Sequence, residues 1–110
     1  MYKLYKQARA KQDLKDIWLY TFKTWGEVQA DRYFDDLDNG LKTLSHNPDI
    51  GKNRDSIREG YRSFQINRHV FFYKVSSSTI RIVRVLQVYV LLSIRCYLPL
   101  FNSGVKIALS

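Results

Sequence analysis

Residues 68–86 constrain the fold most, because their side chains alternate between two faces as they do in β-strands. The alternation runs through residues 68–75 and resumes in residues 79–86, where Arg81 and Arg84 each lie between two β-branched residues. A guanidinium in such surroundings is costly unless it meets a carboxylate, a phosphate or a partner protein. The pattern therefore predicts a β-sheet with an anionic group close to it.

Positive charge is concentrated in the second half of the chain. Residues 1–50 contain eight basic and eight acidic side chains, whereas residues 51–110 contain ten basic and two acidic ones, which together give the formal charge of +8. This asymmetry favours an anionic partner, such as nucleic acid or an acidic protein segment, over a membrane surface. The alternative interpretation is a basic surface that has no partner.

Length and composition limit the other classes of protein. The 110 residues correspond to one domain that buries about two-thirds of the surface of its unfolded chain. Cys96 is the single cysteine, so an internal disulfide is excluded, and its apolar neighbours predict an inert thiol. Two distant histidines and one cysteine do not form a set of metal ligands, so we expect no metal site. The sequence contains no glycine-rich phosphate loop, so we also expect no cofactor. Charged residues interrupt the N-terminal residues, which is not the pattern of a signal peptide, so we expect a cytoplasmic protein. Charged residues also divide the apolar stretch after Arg84 into windows that are too short to cross a membrane.

The hydrophobic periodicity predicts an α+β fold. Apolar residues recur at helical spacing from Ala8 to Gly26, where the first helix is expected to end. The same spacing resumes after Gly26 and ends at the Asn47-Pro48 pair, because the residue before a proline disfavours the helical conformation. The predicted elements are a strand at 2–6, one helix up to Gly26, a second helix up to about 45–48, a polar connector at 47–57 and strands at 60–66, 68–75 and 79–86. This β-α-α-β-β-β order predicts an antiparallel-rich sheet with a helical hairpin packed on one face.

Single residues refine this layout. Asn67 and the serines at 76–78 are the expected turns between the last three strands. Trp18 and Trp25 lie two helical turns apart and are predicted to be core residues, and His46 is expected to cap the end of the second helix.

The C-terminal stretch does not follow the pattern of the preceding residues. Residues 88–101 are mostly apolar, with Arg95 and Pro99 inside them. We therefore divide the chain into a domain at 1–87 and an atypical C-terminal extension at 88–110. The extension is compatible with a further strand, a helix on the sheet or an exposed tail.

Six short motifs follow one another along the chain, and they are Ala10–Ile17, Trp25-Gly26 with Gln29-Ala30 and Tyr33, Asn47–Gly51, Ile57–Phe64, His69–Tyr73 and Ile82–Leu86. This ordered set resembles the RelE/ParE superfamily of toxins from bacterial type II toxin–antitoxin systems, and the ParE branch in particular. The resemblance covers about residues 2–86. Members of that superfamily have the β-α-α-β-β-β layout that the periodicity also predicts.

The resemblance implies a toxin that a cognate ParD-like antitoxin neutralises in a hetero-oligomer. Contact with operator DNA would then be indirect, through the antitoxin. ParE-like toxins are described as poisons that bind DNA gyrase without catalysing a reaction and are associated with plasmid stabilisation. RelE-like relatives instead cut mRNA on the ribosome, and fold alone does not separate these outcomes. Family members commonly have His after the last Arg-Val-Leu and a short polar end, whereas this chain has Gln87 and an apolar extension.

Two sets of candidate site residues follow. A nuclease would need proton-transfer groups and phosphate-binding cations, and the candidates for these are Arg62, His69, Tyr73 and Arg84. His69 and Tyr73 share a strand face with Phe71 and are equally compatible with core positions, so we expect no catalytic residue. Binding of the antitoxin or the target is predicted to use Arg58, Arg62, Arg68, Arg81 and Arg84.

Two alternatives stay open. Arg84 is also compatible with a structural role, paired with an acidic residue such as Glu59. A non-toxic, basic nucleic-acid-binding module remains a further candidate function, although the aromatic residues alternate as a core does and not as a stacking platform.

Overall fold

The computed structural model describes residues 1–88. The expectations for residues 89–110 lie outside the described residues. The elements are β1 (Lys3–Lys6), α1 (Ala8–Trp25), α2 (Glu27–His46), β2 (Lys52–Asn53), β3 (Arg62–Ile66), β4 (His69–Val75) and β5 (Thr79–Gln87).

A single glycine separates the two helices. Gly26 has φ 93°, in the left-handed region that glycine adopts without strain, and its N–H donates to the carbonyl of Phe22 at 2.9 Å. The carbonyl of Gly26 then accepts the N–H of Ala30 at 3.1 Å, so α2 begins directly after α1 ends. Glu27 lies in the first turn of α2, where a negative charge complements the helix dipole. The predicted break at Gly26 is confirmed.

Five strands form one sheet in the order β1-β5-β4-β3-β2. β1 pairs with β5 in parallel, and the other neighbours are antiparallel. The predicted α+β fold with an antiparallel-rich sheet and two helices on one face is confirmed. The predicted polar connector was incomplete, because Lys52 and Asn53 form the short edge strand β2. Both side chains of β2 are exposed, so this strand leaves no hydrophobic pattern in the sequence.

The central strand β4 is buried on both faces. Its helix side contributes Phe71 and Tyr73 to a core with residues of α1, α2 and β5. Its opposite side contributes Val70 and Phe72 to a smaller core, which Ile57 and Tyr61 cover from the segment between β2 and β3. The main core contains Ala10, Leu37, Leu41, Leu44, Ile66, Phe71, Tyr73, Ile80, Ile82 and Val85.

The predictions for single residues had mixed outcomes. His46 caps α2 as predicted, with its Nδ1 2.9 Å from the carbonyl oxygen of Lys42. Trp18 is partly buried and stacks on Phe22, with the ring centroids 5.1 Å apart. The assignment of Trp25 to the core was wrong, because 66% of this residue is exposed in the last turn of α1.

Within residues 1–88, no helix is both long enough and apolar enough to cross a bilayer.

Candidate functional site

Arg84 is held by Asp13 inside the protein. Its Nε donates to Asp13 Oδ2 at 2.7 Å and its Nη2 donates to Oδ1 at 3.1 Å, while only 6% of Arg84 is exposed. Of the interpretations left open for Arg84, the structure shows the pairing with an acidic residue, but that residue is Asp13 and not the suggested Glu59. Asp13 lies on the apolar face of α1 between Ala10 and Ile17, and this position was the signal in the sequence that could have identified it.

An irregularity in β5 brings Arg84 to this position. Ile82 opposes Tyr73 and Arg84 opposes Phe72, so Val83 has no opposing residue in β4, as in a β-bulge. β1 pairs with β5 only as far as Ile82, which leaves the following edge of β5 without a strand neighbour. Asp13 occupies that edge, where its Oδ2 also accepts the N–H of Val85 at 3.0 Å. One carboxylate therefore neutralises a buried cation and satisfies a backbone donor.

Tyr73 anchors the loop before β2. Its hydroxyl donates to the carbonyl of Pro48 at 2.8 Å and accepts the N–H of Gly51 at 3.0 Å. Burial raises the pKa of Tyr73 above its ordinary value, so the neutral phenol is the stable form. Arg62 fastens the same loop, because its Nη2 donates to the carbonyls of Asp49 at 2.9 Å and Gly51 at 2.8 Å.

His69 forms a buried polar cluster with Tyr33 of α2. The Tyr33 hydroxyl is 2.7 Å from His69 Nδ1, and its oxygen accepts the N–H of Arg68 at 3.1 Å. Burial, with a smaller effect of the Arg68 charge, lowers the pKa of His69 below its ordinary value. We therefore assign a neutral imidazole that accepts the Tyr33 proton at Nδ1 and carries its own proton on Nε2. Among residues 1–88, Nε2 has no hydrogen-bond partner.

The four nuclease candidates do not converge on one open site. His69 and Tyr73 lie four residues apart on β4, which corresponds to about 13 Å along the strand. Both are directed towards the helix side of the sheet, where His69 meets Tyr33 and Tyr73 belongs to the main core. Arg84 is enclosed with Asp13.

The predicted binding arginines lie in separate places. Arg58, Arg68 and Arg81 are exposed, whereas Arg62 is partly buried and Arg84 is buried. Arg81 opposes Lys74 of β4, and both have exposed side chains on the sheet face opposite the helices. We call Lys74 and Arg81 the basic pair. Lys74 was absent from the predicted set, although its place in the alternation of residues 68–75 indicated this face.

A groove opens between the helical hairpin and the end of the sheet where β4 begins. It has a volume of about 830 Å³. We call it the hairpin groove, and its lining includes Asp16, Tyr20, Trp25, Arg68, His69 and Val88. The sequence did not predict this groove, because the residues that line it come from the end of α1, the start of β4 and the end of β5, which are distant in the chain.

Comparisons with known proteins match almost all of the described residues. The sequence profile of the family described as "ParE toxin of type II toxin-antitoxin system, parDE" matches residues 6–87. The chain is 40% identical over 78 residues to Toxin ParE1 of Mycobacterium tuberculosis, covering 70% of this chain and 80% of that protein. It is 38% identical over 78 residues to Toxin ParE1 of Caulobacter vibrioides, covering 71% and 80% respectively.

The fold is also similar to that of a solved structure. A chain described as "Chromosomal ParDE TA system from P. aeruginosa" superimposes with a TM-score of 0.68 at 22% identity, covering 79% of this chain and 96% of that chain. At this identity the likeness concerns the fold alone.

Proposed function

This chain belongs to the ParE toxin family of type II toxin–antitoxin systems, and we propose that it acts by binding DNA gyrase without catalysing a reaction. We further propose that a ParD-like antitoxin neutralises it in a hetero-oligomer that reaches operator DNA through the antitoxin. Plasmid stabilisation is the corresponding biological role of such a pair.

The enclosure of three of the four nuclease candidates supports inhibition by binding. A general acid or base has to come within hydrogen-bonding reach of the ribose or the leaving oxygen. His69 is 8% exposed, Tyr73 is 0% exposed and Arg84 is 6% exposed. Each is already engaged within the chain, by Tyr33, by the loop before β2 and by Asp13. A protein with these groups enclosed is better suited to binding a macromolecule than to cutting RNA.

The basic pair supports an anionic segment of the antitoxin as a binding partner. Lys74 and Arg81 are exposed neighbours on adjacent strands. Lys74 Nζ also lies 5.8 Å from the centroid of the buried Tyr61 ring, within the range of a cation–π contact. An acidic segment that folds on binding would complement the two charges. Arg84 does not belong to this surface, because it is enclosed with Asp13.

Two assays with the purified chain distinguish the two targets. We expect the protein to reduce supercoiling by DNA gyrase, with cleaved plasmid accumulating, and to leave ribosome-bound mRNA intact. The variants His69→Gln and Tyr73→Phe provide the comparison, since both would abolish RNA cutting if these groups were catalytic. Codon-dependent mRNA cutting that these two substitutions remove would replace the gyrase proposal with a RelE-type nuclease.

The antitoxin proposal has a separate test. We expect the double variant Lys74→Ala, Arg81→Ala to bind a ParD-like antitoxin at least about tenfold more weakly, because two charge-assisted contacts are removed. The matched control is Lys15→Ala with Lys23→Ala, which removes two exposed charges from α1. Titration calorimetry gives both affinities. Equal affinities for the two double variants would exclude the basic pair from the interface.

A further inference from the structure

Strand β1 forms one edge of the sheet and has a strand neighbour, β5, on one side only within residues 1–88. The N–H groups of Lys3 and Gln7 donate to carbonyls of residues 78–82 at 2.9 and 3.0 Å. Backbone groups alternate in direction along a strand, so the N–H and C=O groups of Leu4 and Lys6 point away from β5. These two residues therefore present hydrogen-bonding groups at the open edge.

The open part of this edge begins after Tyr2. Tyr2 also points away from β5, but its N–H donates to the carbonyl of Ser45 near the end of α2, at 2.9 Å. In the part of the chain that the structure describes, the outward backbone groups of Leu4 and Lys6 have no partner of this kind. A strand edge with unpaired groups is a template on which another strand can pair.

A cleft of about 490 Å³ lies beside this edge, between β1 and α2. It shares four lining residues with a hollow of about 320 Å³, and we call the two together the β1 cleft. Its apolar lining consists of Leu4, Leu14, Phe34, Leu37 and Leu41. Leu4 packs against the main core and so faces the helix side of the sheet. A further strand beside β1 would direct alternate side chains into this cleft.

The charged residues of the cleft are mostly basic, and they are Lys6, Lys11, Lys42 and Asp38. Among the described residues, none of these three lysines forms a salt bridge. On the other face of β1, Lys3 is exposed next to Tyr5, which is 54% exposed. A second copy of β1 paired in register would place lysines opposite lysines, which is destabilising. The charges therefore favour an acidic occupant over a second copy.

We propose that β1 binds an extended, acidic segment of a partner protein as a sixth strand of the sheet. Acidic side chains of that segment lie opposite Lys3 and Lys6, and apolar side chains lie opposite Leu4 and Tyr5. Hydrogen bonds to the outward groups of Leu4 and Lys6 provide the affinity, while the β1 cleft selects the side chains. This site is an edge of the sheet and not the basic pair, so it does not rest on the proposed gyrase or antitoxin binding.

A peptide with blocked termini and the sequence Thr-Glu-Val-Val-Glu-Thr is a suitable probe. Because this sequence is symmetrical, it presents the required pattern in both strand directions. In isotope-labelled full-length protein, we expect saturating peptide to shift the amide NMR signals of Leu4 and Lys6 downfield and to slow their hydrogen exchange at least about tenfold. The peptide Thr-Lys-Val-Val-Lys-Thr is the charge control. Unchanged Leu4 and Lys6 signals with the glutamate peptide, or equal binding of both peptides, would overturn the proposal.

Methylation of single peptide nitrogens distinguishes strand addition from ion pairing alone. In both strand directions, the N–H of the second valine points towards β1 and the N–H of the first valine points away from it. We expect methylation at the second valine to weaken binding about tenfold more than methylation at the first, because only the former removes hydrogen bonding to β1. Equal affinities would mean that the peptide does not join the sheet.

A backbone substitution in the protein makes the same distinction. Lys6→Pro removes the outward N–H together with the charge, and proline is tolerated on an edge strand. Lys6→Ala removes the charge alone and is the matched control. We expect Lys6→Pro to bind the glutamate peptide about tenfold more weakly than Lys6→Ala. Equal affinities of two folded variants, as judged by circular dichroism, would contradict strand addition.

Charge reversal in the cleft leaves β1 itself unchanged. We expect Lys11→Glu with Lys42→Glu to weaken binding of the glutamate peptide at least about tenfold, because both charges adjoin the added strand. The matched control is Lys15→Glu with Lys23→Glu, which reverses two exposed charges of α1 outside the cleft. Equal affinities for the two double variants would exclude the β1 cleft from the binding site.

Discussion

At the residue scale, the structure shows how one acidic side chain determines the role of a basic one. Arg84 has the residue type and the strand position of a binding residue, yet Asp13 encloses it. Arg81, three positions earlier, is exposed. The sequence indicated that both arginines needed an anion, but it did not indicate which one was inside. That distinction depends on a contact across 71 positions of the chain.

Removal of Arg84 tests the buried pair. We expect Arg84→Ala to lower the free energy of unfolding by about 3–5 kcal/mol, because the Asp13 carboxylate stays buried without its main partner. Arg9, whose Nε is 3.8 Å from Asp13 Oδ1, is exposed and compensates little. Urea denaturation gives the values, and Arg81→Ala, an exposed position, is expected to change stability by no more than about 0.5 kcal/mol.

The double variant Asp13→Leu, Arg84→Met completes this test. Replacing both charges with apolar side chains removes the unpaired charge, but the Val85 N–H loses its acceptor at a cost of about 1–3 kcal/mol. We therefore expect the double variant to be more stable than Arg84→Ala alone. A double variant that is less stable would mean that the ion pair itself supplies most of the stabilisation.

His69 predicts a pH dependence of stability. Its pKa is lower in the folded chain than the ordinary value of 6.5, so the unfolded chain binds more protons below that value. The stability associated with neutral His69 is fully present above about pH 6.5 and decreases as the pH falls towards the folded pKa. We expect His69→Gln to flatten this decrease in denaturation curves measured between pH 5 and 7.5.

At the element scale, hydrophobic periodicity predicted those helices and strands that have a regular apolar face. The bounds of both helices and of the three long strands agree closely with the sequence, because each presents a sustained apolar face. The edge strand β2 was missed because two exposed residues have no such face. Trp25 was predicted to be a core residue because it lies two helical turns after Trp18. Whether the last turn of α1 is covered or lines a groove depends on the neighbouring elements, which this spacing does not reveal. The hairpin groove was not predictable for the same reason.

Gly40 tests the packing of α2 on the sheet. A Cβ at this position would lie 2.6–2.8 Å from three side-chain atoms of Ile66, a buried β-branched residue. We expect Gly40→Ala to lower stability by about 1–3 kcal/mol despite the higher helix propensity of alanine, because the crowding has to be relieved by a backbone shift. Thermal unfolding measures the change. Asn39→Ala, exposed on the same helix, should be neutral or slightly stabilising, and a stabilising Gly40→Ala would contradict the close contact.

At the scale of the whole molecule, residues 1–88 contain a complete layered fold. The five-stranded sheet is closed on one side by the helices and on the other by the segment that carries Ile57 and Tyr61. The family match also ends at Gln87. On these grounds we propose that the domain ends near residue 87, where the Val88 N–H donates to the carbonyl of Arg68, just before β4.

Truncation after Val88 tests that boundary. We expect the shortened chain to unfold cooperatively and to keep the far-ultraviolet circular dichroism of both helices, because its cores are formed by earlier residues. A truncated chain without cooperative unfolding would place part of the extension in the core of the domain.

The position of β5 between β1 and β4 has a consequence for biosynthesis. β1 is translated before the other strands of this sheet, but its neighbour in the sheet comprises residues 79–87. At a translation rate of roughly 5–20 residues per second, several seconds pass between the synthesis of β1 and that of β5. The same delay applies to Asp13 and Arg84, which also come from the two ends. The nascent domain therefore reaches its finished form only after nearly all of residues 1–87 have been translated.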